Sequence, residues 1–150
     1  MKEAPQGELV AIWLKRVRRG PMDPHQRARL LTGEGLEGDA NRGSRKRQVT
    51  LIEEELWHSV QQELEAEVDP TCRRANLLVR GVSLAHHRGE VLQVGSCSLK
   101  IWGETRPCRL MEETHGGLQA ALDPDWRGGV FATVEEGGEI EVGDAVAWSP

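Results

Sequence analysis

The chain has 150 residues, of which 38% are hydrophobic and 29% charged, a composition typical of a globular protein with one core. Its formal net charge of −5 argues against a general nucleic-acid binder. No apolar run approaches the roughly 20 residues of a membrane helix, and the first residues lack the apolar segment of a signal peptide. We therefore expect a cytoplasmic protein with neither a membrane nor a nucleic acid as partner.

The first half of the chain predicts two strands and a helix. Residues 8–17 are apolar on both alternating faces, which is typical of a strand buried on both sides. A glycine-rich loop at 33–39 permits unusual backbone conformations or close approach to a ligand, and a second strand follows at 47–52. Residues 53–65 repeat apolar side chains every four positions opposite an acidic face, which predicts an amphipathic helix.

The second half predicts further short strands separated by glycine turns. An apolar strand ends at Gly81, and strands at 92–95 and 97–102 follow, then a short helix at 116–122. Two apolar runs at 130–134 and 139–142 flank a Gly-Gly pair, a spacing that predicts a β-hairpin before a last strand at 145–148. The whole pattern predicts a mainly β fold, a closed and largely antiparallel β-barrel with a few short helices.

One cysteine stands in a context that favours reactivity. Cys108 follows Pro107 at the predicted exit of a strand, between Arg106 and Arg109. The thiolate is the reactive form of cysteine, and neighbouring cations favour it over the thiol. The alternative for this position is a buried, inert cysteine.

The other two cysteines give no such signal. Cys97 alternates with the apolar Leu99 and Ile101, which predicts a core position, and Cys72 has no predicted role. No pair has the short spacing of a zinc site, and three is an odd number for a disulfide framework, so free thiols are expected.

Basic residues gather in three groups, at 42–47, at 73–74 and at 106–109. If the three groups meet in space, this acidic chain carries one anion site; otherwise they are scattered, solvated side chains. Arginine suits phosphate in particular, because its planar fork of donors can bind two oxygens at once.

Five short segments occur in the order found in MOSC domains, the molybdenum cofactor sulfurase C-terminal domains, and the chain resembles a short stand-alone bacterial member. The segments are 35–39 (GLEGD), 47–52 (RQVTLI), 74–77 (RANL), 107–108 (PC) and 138–144 (GEIEVGD). The resemblance covers nearly the whole chain, so we treat residues 1–150 as a single MOSC domain with its core at about 8–148. It implies a β-barrel of the pyruvate-kinase type.

The resemblance also implies a link to the molybdenum cofactor, a molybdopterin. In family members that act as enzymes, a cysteine at the position of Cys108 ligates molybdenum, and N-hydroxylated compounds are reduced, as by the mitochondrial amidoxime-reducing component. Another proposal for the family is sulfur carriage, with a persulfide on this cysteine. The residues expected to contact the cofactor are Arg47, Arg74, Asn76, Thr105 and Asp39, the arginines through its phosphate.

The chain departs from the family pattern at Asn41, where many short relatives carry histidine. It lacks the pyridoxal-phosphate domain of full cofactor sulfurases, and it shows no cysteine cluster for an iron–sulfur centre and no zinc motif. A reductase would therefore need a separate electron-donor protein besides its small-molecule substrate. Three functions stay open: a molybdenum-dependent reductase with Cys108 as metal ligand, a non-enzymatic sulfur or cofactor carrier, and an anion-binding barrel module.

Overall fold

The structure is a computed structural model and describes residues 6–150. Within that range the strands are β1 (Gly7–Leu14), β2 (Asp23–His25), β3 (Arg27–Leu31), β4 (Gly35–Leu36), β5 (Val49–Glu53), β6 (Leu77–Arg80), β7 (Val91–Val94), β8 (Cys97–Glu104), β9 (Val130–Glu136), β10 (Gly138–Glu141) and β11 (Ala145–Trp148). The α-helices are α1 (Glu54–Leu64), α2 (Arg109–Thr114) and α3 (Leu118–Leu122), and short 3₁₀ turns lie at Pro70–Arg73 and Pro124–Trp126.

Seven strands close into a barrel in the order β1, β11, β7, β8, β9, β5, β6 and back to β1. All of these pairings are antiparallel except β5 with β6, which pair in parallel with Leu51 opposite Leu77. Parallel neighbours need a crossover connection, and α1 together with the first 3₁₀ turn supplies it. The prediction of a mainly β, closed and largely antiparallel barrel with short helices is confirmed.

The barrel interior is the main core. It is filled by leucine, isoleucine and valine side chains from all seven strands, and Cys97 is fully buried among them, as predicted. The predicted helix at 53–65 is α1, which buries Trp57 and Val60. The Trp57 indole N–H donates to the backbone oxygen of Val68 at 2.8 Å, and this face packs with α2 and α3 in a second apolar cluster.

The predicted hairpin around Gly137 and Gly138 is wrong in its pairing. β9 continues to Glu136 and has β5 on one edge and β8 on the other. Beyond its pairing with β5, the second edge of β9 is bonded at Val134 to the Gln48 side chain and the Gly33 N–H, at 3.0 Å and 2.9 Å. β10 pairs instead with β3, in a separate three-stranded sheet of β10, β3 and β4. The turn itself exists, and the Gly137 N–H donates to the Thr32 hydroxyl at 2.9 Å.

No helix within residues 6–150 is long and apolar enough to cross a membrane.

Candidate anion and thiol site

Segments next to five strands converge near one end of the barrel, around Leu51 of β5. β1 ends where β6 begins and β8 ends where β9 begins, and Leu51 pairs with the first residues of both β6 and β9, Leu77 and Val130. The residues just outside these strands are Lys15, Arg47, Arg73, Arg74 and Thr105. The barrel topology thus brings together basic residues that are far apart in sequence.

A small depression at this end is lined by Arg47, Thr50, Arg73, Arg74, Ala75 and Thr105, and we call it the basic groove. Three of the residues expected at a cofactor site, Arg47, Arg74 and Thr105, lie side by side there. Arg47 also lines a neighbouring depression with Arg18 and Asn41. Arg47 is thus shared by the basic groove and a depression that Asn41 lines.

The sequence analysis did not predict Arg73 as a site residue, although it belongs to the basic pair at 73–74. Its side chain is 8% exposed, and its Nε donates to the Gly128 oxygen at 2.9 Å and its Nη2 to the Thr105 oxygen at 2.6 Å. Burial lowers the pKa of Arg73, and Arg47 lowers it further, whereas negative charge on Cys108 opposes both effects. Arg73 is thus within electrostatic reach of both the groove and the thiol.

The start of β9 fits against this arginine only because two glycines precede it. A Cβ on Gly128 would run into the Thr105 carbonyl oxygen, and Gly129 has a φ of +105°, where a side chain would meet the Leu51 carbonyl oxygen. The Thr105 hydroxyl also donates to the Gly128 oxygen at 2.6 Å. The Gly128-Gly129 pair thereby holds one wall of the groove in place.

The cations at this end of the barrel lack close ion-pair partners within the described part of the chain. Lys15 is only 8% exposed; burial lowers the pKa of its ammonium, Arg74 and Arg47 lower it as well, and Asp39 opposes them. Within residues 6–150, no carboxylate lies within 4.0 Å of the charged nitrogens of Lys15, Arg47, Arg73 or Arg74. Arginines elsewhere on the surface do have such partners, such as Arg27 with Glu141, Arg42 with Glu34, Arg80 with Glu8 and Arg127 with Glu63.

Asn76 and Asp39 lie beneath the groove and bond to the barrel itself. The Asn76 side chain is fully buried; it accepts from the Thr50 N–H at 3.1 Å and donates to the Trp13 oxygen and to the Asp39 carboxylate, each at 3.1 Å. Asp39 also accepts from the backbone N–H of Lys15 at 2.9 Å. The two residues tie β1, β5 and β6 together, and their contact with a cofactor stays a prediction.

The Cys108 thiol is exposed, three residues beyond Thr105, at the N-terminal boundary of α2. Its backbone oxygen accepts from the Met111 N–H at 2.9 Å. The sequence analysis did not predict α2, because a six-residue segment is too short for a clear apolar period. By contrast, burial raises the pKa of the Cys97 thiol, and it raises the pKa of the Cys72 thiol to about 11.

Metal ligands are sparse around this thiol. Among residues 6–150, no three histidine, cysteine, aspartate or glutamate side chains are grouped closely enough to hold a metal ion. A metal at Cys108 would therefore need ligands from a bound organic group.

The fold and the site together define a class of protein, a closed mixed β-barrel with a cationic groove and an exposed thiol at one end. The family model described as the MOSC domain matches residues 38–147 of this chain. The chain belongs to the MOSC domain family, which is associated with the molybdenum cofactor, as its resemblance to that family predicts.

Solved structures show the same fold at low identity. The YuaD protein from Bacillus subtilis is 17% identical with a TM-score of 0.79, and the match covers 97% of each chain. YiiM from Geobacillus stearothermophilus is 13% identical with a TM-score of 0.76, over 96% of this chain and 75% of that one. YiiM from Escherichia coli is 15% identical with a TM-score of 0.70, over 95% and 70%. No curated protein matches the chain significantly.

Proposed function

We propose that this MOSC protein binds the molybdenum cofactor at the basic groove and reduces N-hydroxylated small molecules there, with Cys108 as the protein ligand of molybdenum. The observation that carries the proposal is a group of cations, Lys15, Arg47, Arg73 and Arg74, that have no carboxylate within 4.0 Å among residues 6–150. The exposed Cys108 lies within Coulombic range of Arg73. Like charges held together at a partly buried site destabilise the protein unless an anion joins them.

The residues present fit such a cofactor in two respects. Arg47 and Arg74 line the groove and have no carboxylate within 4.0 Å among residues 6–150, so their guanidinium groups can bind a phosphate. The thiolate of Cys108 is a soft ligand suited to a redox metal, and Cys108 acts electrostatically on Arg73, which lines the groove. Because few other metal ligands surround it, the cofactor's own sulfur atoms would complete the coordination.

The chemistry that the bound cofactor supplies is the exchange of electrons with the substrate. Reduction of an N–OH group consumes two electrons and two protons, cleaves the N–O bond and releases water. A separate electron-donor protein would supply the electrons. In this scheme Cys108 holds the metal, Arg47 and Arg74 hold the phosphate, and the hydrogen bonds of Arg73 to Thr105 and Gly128 fix the strand ends around them.

The test is metal analysis of protein expressed in a molybdate-supplied, cofactor-competent host. We expect stoichiometric molybdenum in the natural chain, a near-complete loss in Cys108→Ser, and a clear decrease in Arg47→Ala. Arg45→Ala is the matched control, because this exposed neighbour lies outside the groove residues and its loss should leave metal content unchanged. Absence of molybdenum from the natural chain, or full retention in Cys108→Ser, contradicts the proposal.

The second candidate, a persulfide carrier, is favoured by the exposure of the Cys108 thiol. A carrier must present its sulfur to another protein, which an exposed residue at the end of a short helix can do. Sulfane sulfur on Cys108 without bound molybdenum, released by cyanide and lost in Cys108→Ser, would support it. If neither metal nor sulfane sulfur is found and inorganic phosphate still raises the melting temperature, the anion-binding module is the function to retain.

A further inference from the structure

The turn just before β9 has an unusual backbone. Asp125 and Trp126 are consecutive, and both are left-handed, with φ of +53° and +60°. Glycine adopts this region freely, whereas a bulky side chain in it is an outlier that persists only when the surrounding structure supports it. The turn, which continues into Gly128 and Gly129, is therefore held by contacts outside its own backbone.

The Trp126 ring makes these contacts. Its centroid lies 5.2 Å from the centroid of the His86 ring, and the Arg88 guanidinium lies 5.7 Å from it, within the range of a cation–π interaction. The ring is half-buried and packs against the main core of the barrel. The Gly129 N–H donates to the Trp126 oxygen at 3.1 Å, which closes the turn. A neighbouring loop and the core thus hold the ring, and the ring holds the turn.

The same turn presents a carbonyl group to the basic groove. The Gly128 oxygen accepts from Nε of Arg73 at 2.9 Å and from the Thr105 hydroxyl at 2.6 Å. The approach is close, because a Cβ on Gly128 would lie 3.2 Å from Nη2 of Arg73 and 3.5 Å from Cδ of Pro107, the residue before Cys108. The position of the turn therefore determines the orientation of a groove cation and supports the segment that leads to the thiol.

We propose that Trp126 is a positioning residue for the anion site, because its ring keeps the Gly128 oxygen where it orients Arg73 in the basic groove. Without the ring, the two left-handed residues relax toward the right-handed region, and the Gly128 oxygen moves away from Arg73. The guanidinium then loses the acceptor of its Nε–H, and the groove loses a fixed cation. The effect on anion binding rests on the proposed function, whereas the effect on Arg73 does not.

The Nε–H of Arg73 reports on this arrangement. It donates to a backbone oxygen from a buried side chain, so its proton should exchange slowly with solvent. Metal-free protein would be observed by ¹⁵N NMR, with the signal assigned by its loss in Arg73→Lys, and titrated with inorganic phosphate. In Trp126→Ala we expect this exchange to be about tenfold faster or more and phosphate affinity to be about fivefold lower or more. Trp126→Phe, which keeps a flat apolar ring, should restore most of both.

Trp148→Ala is the matched control. Trp148 stacks on His87, the neighbour of His86, with ring centroids 4.0 Å apart, yet it lines neither the basic groove nor the depression beside Asn41. The variant thus removes another half-buried indole from the same loop without touching the turn. Both the Arg73 exchange rate and the phosphate affinity should stay within about twofold of the natural chain.

A surface variant replaces Trp126→Ala if that protein does not fold. His86 and Arg88 are exposed, so the double variant His86→Ala, Arg88→Ala removes the outer contacts of the Trp126 ring and leaves no cavity in the core. The exchange of the Arg73 proton should then be about threefold faster or more.

The outcomes separate this inference from the proposed function. Faster exchange in Trp126→Ala but not in Trp148→Ala supports the positioning role, even if the natural chain binds no phosphate and the proposed anion site fails. Unchanged Arg73 exchange in Trp126→Ala, or equal acceleration in both variants, overturns the role, while phosphate binding by the natural chain still supports the groove. If the natural chain binds phosphate and Trp126→Ala binds it equally well, the role of Trp126 in anion binding is overturned.

Discussion

Replacing Asn76 with alanine should destabilise the barrel rather than merely empty a binding site. The Asn76 amide accepts from the Thr50 N–H at 3.1 Å and donates to the Trp13 oxygen at 3.1 Å and to the Asp39 carboxylate at 3.1 Å. All of these groups are buried or lie at buried strand ends. Asn76→Ala therefore removes these three bonds and a longer one, 3.3 Å, that Asn76 accepts from the Thr50 hydroxyl. It leaves polar partners at the junction of β1, β5 and β6 with unmet hydrogen-bonding capacity.

The size of the loss follows from the kind of partner. A neutral hydrogen bond contributes about 1 kcal/mol and one to a charged group about 1.5–3 kcal/mol, with more at stake when a buried partner is left unpaired. Two neutral partners and one carboxylate therefore give a decrease of about 4 kcal/mol in the free energy of unfolding. Since the free energy of unfolding of small proteins is only about 5–15 kcal/mol, the variant should retain little of its stability.

Urea unfolding followed by tryptophan fluorescence measures this difference. The matched control is Asn41→Ala, another asparagine next to Asp39, whose backbone N–H donates to Asp39 at 2.9 Å and remains after the substitution. We expect a loss of about 0.5 kcal/mol or less for the control. If Asn76→Ala proves no more destabilising than Asn41→Ala, the structural account of Asn76 fails, and a role limited to ligand contact replaces it.

Three further outcomes are expected. Alkylation of the native protein near neutral pH, read by peptide mass, should label exposed Cys108 well before buried Cys97, and equal labelling would contradict the burial of Cys97. Burial raises the pKa of Glu53 above its ordinary value of 4.5, although the Leu84 N–H that donates to it opposes this, so the free energy of unfolding should fall as pH rises from 4.5 through the raised pKa. Glu53→Gln should remove that fall in pH-dependent denaturation curves and stabilise the protein at pH 7, and an unchanged pH profile would refute the assignment. Gly129→Ala should lower stability by about 2 kcal/mol or more, measured by thermal unfolding, because φ of +105° and the Leu51 oxygen leave no room for a Cβ.

The positions of Cys97 and Cys108 show which features could be predicted from the sequence. Alternation with Leu99 and Ile101 placed Cys97 in the core, because the period of two in a strand is a local property. The proline before Cys108 and the arginines on either side of it likewise marked an accessible position outside a strand, and the thiol is exposed. Local pattern was sufficient in both cases, since each depends only on residues a few positions away.

The sequence did not predict which strands pair with each other. The Gly-Gly turn at 137–138 predicted a hairpin, yet β10 pairs with β3, more than 100 residues earlier in the chain. One edge of β9 near the turn pairs with β8, and the other is bonded at Val134 to Gln48 and Gly33. Turn chemistry sets where the chain reverses, but the free edge of a sheet depends on every other strand. The charged residues of β3 gave no apolar alternation that would have marked it as a strand.

By itself, the sequence determined the mainly β composition, the amphipathic α1 and the presence of three basic groups, because these follow from local periodicity and composition. Only the tertiary structure decided which of those basic residues act together. The closure of the barrel brings Lys15, Arg47, Arg73 and Arg74 to one end, while arginines such as Arg80 are neutralised by carboxylates elsewhere. Charge neutralisation depends on distances of a few ångströms between residues remote in sequence, and such distances exist only once the strands have closed.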